Sequence, residues 1–154
     1  MNQAHIHLLI THLPIFGSFL GLFVLLYGLR SKSEQTKMAA YYIFIICALG
    51  AGIAYLTGEG AEETVENIQG ISKDMIEHHE DFAAFALISL LILGAASIAG
   101  LFMTVKKSTY AKGAAVIILI LSLISFGLTA WTGYLGGQIR HTEIYQSSSS
   151  LQDH

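Results

Sequence analysis

Histidine is the residue in this chain most able to do chemistry, and seven are present. Two lie in His7-Leu8-Leu9-Ile10-Thr11-His12-Leu13-Pro14, at the mouth of an apolar run. His79 opens a later apolar run and His141 closes the last one. In a chain that crosses a membrane four times, the start of span one, the start of span three and the end of span four share one face. His7, His12, His79 and His141 would then meet in a single layer. Boundary imidazoles of this kind are costly and usually point into the bundle.

Three chemistries suit such a layer without cysteine ligands. Haem b held by histidines from facing helices fits an all-α bundle. A Zn or Cu site is the second, since neutral imidazole suits both metals. No His-x₃-His or Glu-x₂-His pair joins the four on one helix face, although Glu77 or Glu80 beside His79 keeps a mixed metal site open. Proton handling is the third. It is opposed by the absence of Asp, Glu, Lys and Arg from the runs below the layer, which argues against a path across the whole membrane. His7 and His12 are five apart, about 140° round a helix, so they cannot face one ligand together from a regular helix. His78 and His79 diverge by about 100°, so one of them faces inward. His5, His78 and His154 keep the ordinary reading of solvated histidines. No nucleophile–base arrangement is evident, which argues against an independent hydrolytic enzyme.

Composition supplies the scaffold. Charged residues make up 12% of the chain, against about a quarter in a soluble domain. Four uncharged runs, Leu8–Leu29, Met38–Gly58, Phe82–Val105 and Gly113–Gly137, each reach the roughly 20 residues a helix needs to cross a bilayer. None carries the charged stripe of a soluble bundle helix. The expected fold is therefore all-α, an integral membrane up-down four-helix bundle over residues 1–145, with a disordered Ser-rich tail over 146–154. Arg30, Lys32 and Lys37 mark the first loop, and Lys106, Lys107 and Lys112 the third. The positive-inside rule puts those loops in the cytoplasm and both termini, with the histidine layer, outside. No cleavable signal peptide is expected. The lone Cys47 reads as a small core residue. Nothing points to nucleic acid, and self-association is left open.

Two similar hairpins make up the bundle. Spans one and three start with histidines, and spans two and four end in Thr-Gly. Small residues recur at helical spacing, Gly50, Ala54, Gly58 and Ala61 on span two and Ala130, Gly133 and Gly137 before His141 on span four. Such stripes serve close helix packing or leave room for a flat ligand. Pro14 either kinks span one or opens it. Glu59 to Glu66 reads as a short acidic surface helix after span two, stopping near Gly70, with Ser72 as the N-cap of span three. It is either a solvated face or a dock for a basic electron carrier. Tyr55, Trp131, Tyr134 and Tyr145 read as an interfacial aromatic belt.

Taken as a set, His-Leu-Leu-x-x-His-Leu-Pro, Leu56-Thr57-Gly58-Glu59, Ile76-Glu77-His78-His79-Glu80 and Gly136-Gly137-Gln138-Ile139-Arg140-His141-Thr142-Glu143 resemble small four-span bacterial membrane proteins of unassigned function. They are also similar to a larger family of four-helix membrane domains beginning His-x₄-His-x-Pro, some fused to Rieske-type iron–sulfur domains. Where that family usually has His-Pro at its first histidine, this chain has His7-Leu8. The resemblance selects His79 over His78 and implies electron transfer with an iron–sulfur protein as partner. A bacterial inner membrane is the expected location, with quinol or a periplasmic redox carrier as further expected partners. The expectation is one or two haem b, with Zn or Cu as the alternative and a structural subunit as the third. His12 and His79 are the first choice of axial ligands, with His7 and His141 holding a second haem or supporting the first. Gly58, Gly133 and Gly137 would line the slot, and Thr57, Glu59, Glu80 and Thr132 would support the ligands.

Overall fold

The computed structural model describes residues 3–65 and 73–140. These form four helices, α1 (Gln3–Arg30), α2 (Glu34–Val65), α3 (Lys73–Val105) and α4 (Ala111–Arg140), with no strand among the described residues. Each helix is long and apolar enough to cross a membrane. At 1.5 Å per residue, the 28 residues of α1 extend about 42 Å. The expected four-helix membrane fold is the one observed.

The helices pack in cyclic order. α1 lies against α2 and α4, α3 lies against the same two, and the diagonal pairs barely touch. This is the up-down arrangement that short connections impose. Two turns lie among the described residues, and they are built alike. In the first, Ser33 N–H bonds the Gly28 carbonyl and Lys32 N–H that of Leu29; in the second, Ser108 N–H bonds Met103 and Lys107 N–H bonds Thr104. Both are Schellman ends with a lysine in the left-handed position, φ 55° at Lys32 and 51° at Lys107. The serine that ends each turn also caps the next helix: Ser33 Oγ accepts from Thr36 N–H at 3.2 Å, and Ser108 Oγ accepts from Tyr110 N–H at 3.2 Å.

Leu25, Tyr41, Phe44, Leu90, Leu93 and Ile118 are fully buried along the bundle axis. Small residues let the helices approach. A Cβ at Gly94 would stand 2.7 Å from the Ala48 Cβ, and one at Gly21 would stand 2.5 Å from the Phe44 ring. Cys47 is buried, as expected. Large apolar side chains cover the outside, with Leu56 81% exposed. In water such a surface would aggregate; against lipid it is the required solvent match.

Two local expectations change. Pro14 is buried inside α1, more than two turns from its start, so it does not open the helix. Its missing N–H leaves the Ile10 carbonyl without an intrahelical donor. The acidic stretch is helical as far as Val65 but continues α2 instead of forming a separate helix. Gly58 and Gly60 inside the helix cost only about 1 kcal/mol each, and the Thr57 hydroxyl, bonded to the Ile53 and Ala54 carbonyls at 3.0 and 3.1 Å, adds no competing turn. The stop near Gly70, the Ser72 cap, Tyr145 and the Ser-rich tail lie outside the described residues.

Candidate histidine site

His7 projects from α1 toward α2. Its Nδ1 donates to the Ala54 carbonyl at 2.8 Å, with the Thr57 hydroxyl 3.4 Å away. His79 projects from α3 toward α4, where its Nδ1 donates to the Thr132 carbonyl at 3.1 Å. A carbonyl can only accept, so Nδ1 carries a proton in both rings, and the neutral imidazole of that tautomer has its lone pair on Nε2. Both rings are half-buried. They sit at the same end of the bundle, on the diagonally opposed helices α1 and α3. Each hairpin thus contributes one histidine, and all four helices frame the pair.

A glycine backs each ring. An added Cβ at Gly58 would lie 3.7 Å from His7 Cε1, and one at Gly136 would lie 3.1 Å from His79 Cε1. In each case the glycine is four residues past the accepting carbonyl, one turn along the same helix face. Gly133 packs instead on Ile15, whose Cδ1 an added Cβ would meet at 2.8 Å, and Gly137 is exposed with open space beside it. Gly136, and the role of the Ala54 carbonyl, escaped the sequence reading. The available signal was the spacing of four from Thr132 to Gly136 that mirrors Ala54 to Gly58.

The other candidates are placed differently. His12 is exposed; its Nδ1 donates to the Leu8 carbonyl of its own helix at 2.6 Å, and its ring stacks on Phe16 at 6.1 Å. It does not join His7 and His79. His141 lies outside the described residues, as does the side chain of Glu59. Glu80 is exposed. Thr132 serves through its carbonyl, while its hydroxyl donates to the Leu128 carbonyl at 2.9 Å. Thr57 shares the Ala54 carbonyl with His7. One turn below Thr132, Thr129 Oγ1 and Ser18 Oγ stand 3.3 Å apart and tie α4 to α1. That contact was readable only as the face Ser122, Ser125, Thr129, Thr132 at spacings of three and four. Among the described residues, no three His, Cys, Asp or Glu side chains gather closely enough to hold a metal ion.

Four membrane-length helices around two carbonyl-tethered imidazoles define a polytopic membrane protein with a histidine pair at one end of its bundle. The chain belongs to the DUF2231 family of predicted membrane proteins, matched over residues 3–143. No curated protein and no solved structure matches it.

Proposed function

We propose that this protein is a membrane electron-transfer protein that holds haem b between His7 and His79 near the extracytoplasmic face. The observation that carries the reading is the shared tether, Nδ1–H on a backbone carbonyl with Nε2 left to coordinate. Ligating histidines characteristically donate their second nitrogen to a carbonyl or carboxylate, which sets tautomer and ring orientation. Two such donors from facing helices are the set that bis-histidine haem requires. Gly58 and Gly136 keep side-chain bulk away from the two rings. When bound, the haem would supply one-electron redox chemistry. The chain's part is to orient the imidazoles, through Ala54 and Thr132, and to exclude water with the apolar walls below.

This reading takes His7 with His79, in place of the His12–His79 pairing favoured by the sequence. His141 and Glu59 keep their proposed supporting places, and a second haem is not needed to account for the pair. A Zn or Cu site finds less support, because a third donor is lacking among the described residues. The outward orientation follows from the basic residues Arg30, Lys32, Lys106, Lys107 and Lys112 at the opposite end. The Rieske-linked resemblance supports an iron–sulfur protein or a periplasmic carrier as the redox partner.

The test is the haem content and oxidised-state electron paramagnetic resonance spectrum of protein purified from haem-replete cells. One haem b per chain with a low-spin bis-imidazole signal is expected. Colourless protein with stoichiometric Zn or Cu would replace the haem with a metal site.

A further inference from the structure

The faces of α3 and α4 that turn away from the histidine pair enclose an open groove of ≈ 750 Å³. Its outer end is polar, formed by Asp74, His78 and Gln138, and its floor is apolar, with Phe82, Trp131 and Leu135. Groove and histidine site share one wall, since His78, Trp131 and Leu135 each precede a residue of the inner site, His79, Thr132 and Gly136. Phe82 and Trp131 meet edge to face, 6.2 Å between centroids, and give the floor an aromatic surface. The Gln138 amide nitrogen donates to Tyr134 Oη at 2.9 Å, which leaves the amide oxygen as an acceptor.

We propose that this groove binds a lipid-soluble quinone or quinol, its head group on Asp74, His78 and Gln138 and its ring against Trp131. The charge pattern selects this occupant over a phospholipid. Among the described residues no lysine or arginine lines the groove, and Glu77 and Asp81 join Asp74 around His78, so a lipid phosphate would meet carboxylates. A neutral head that donates and accepts hydrogen bonds meets an imidazole, a carboxylate and an amide. The redox use of such a ligand rests on the haem reading above, one helix wall away; its binding does not.

Trp131 is the single tryptophan of the chain, and quinones quench indole fluorescence on contact. The experiment titrates a decyl-substituted benzoquinone into the full-length protein in mild detergent, with His78→Ala and Gln138→Ala alongside, and checks each fold by circular dichroism. Saturable quenching is expected, with half-saturation raised about tenfold in each variant, the scale of one hydrogen bond. Quenching that rises without saturation and equally in all three proteins is simple partitioning into the micelle and overturns the proposal. Equal displacement of the quinone by phosphatidylethanolamine assigns the groove to phospholipid and also overturns it. An optical spectrum of the same samples separates the two readings. Saturable binding to colourless protein keeps the groove and removes the haem, and a haem signal with partitioning alone does the reverse.

Discussion

His7 and His79 occupy equivalent places in two different hairpins. Each donates Nδ1–H to a carbonyl of the partner helix, Ala54 at 2.8 Å and Thr132 at 3.1 Å. Each also lies over the glycine four residues further on, Gly58 or Gly136. The equivalence extends to the far end of the bundle, where both hairpins close through a left-handed lysine and a serine that ends one helix and caps the next.

The two glycines should respond unequally to substitution. At Gly58 a methyl would meet His7 at 3.7 Å, an ordinary contact, whereas at Gly136 it would meet His79 at 3.1 Å. Gly136→Ala is expected to displace the His79 ring and to lower or shift any haem absorption, while Gly58→Ala keeps it. Equal spectra in the two variants would count against the proposed backing role of Gly136.

Helix approach is tight at Gly94, where an added Cβ would stand 2.7 Å from that of Ala48. Gly94→Leu should destabilise the bundle by about 1–3 kcal/mol through overpacking. Gly127, with nothing within 4 Å of its added Cβ, should accept alanine without loss. Thermal unfolding in one detergent compares them, and a Gly94→Leu protein as stable as the parent would contradict this packing.

Both turns carry a strained backbone. A non-glycine residue in the left-handed region costs about 1–2 kcal/mol. Lys32→Gly and Lys107→Gly should each stabilise the fold by about 1 kcal/mol, after allowing for glycine's greater freedom when unfolded, and so raise the unfolding midpoint. A fall in either midpoint would exclude the Schellman geometry there.

Much of this fold is legible in the sequence because each physical cause is local. Uninterrupted apolar length sets the spans, and the inward turn of His79 over His78 follows from helical spacing and the Ile-Glu-x-His-Glu resemblance. The site is legible only in part. That His7 turns inward and His12 outward depends on the rotation of α1 within the bundle, which their 140° separation leaves undetermined. The choice between Gly136 and Gly137 depends likewise on the register between α3 and α4. Thr57-Gly58 resembles a helix end, but continued hydrogen bonding carries α2 through it to Val65.

Orientation is open to a direct test. Ser31 and Lys106 are exposed in the two short turns, and Cys47 is buried. Ser31→Cys and Lys106→Cys should react with a membrane-impermeant maleimide in inverted vesicles and stay unlabelled in right-side-out spheroplasts, with Cys47 silent in both. The opposite labelling pattern would place the histidine end in the cytoplasm.

The central claim, that His7 and His79 together hold haem b, is tested most directly by reduced-minus-oxidised spectra of the purified protein and its His7→Ala, His79→Ala and His12→Ala variants. The predicted result is a sharp low-spin b-type signal, lost without His7 or His79 and kept without His12. A colourless parent protein, or a signal that survives removal of either His7 or His79, would contradict it.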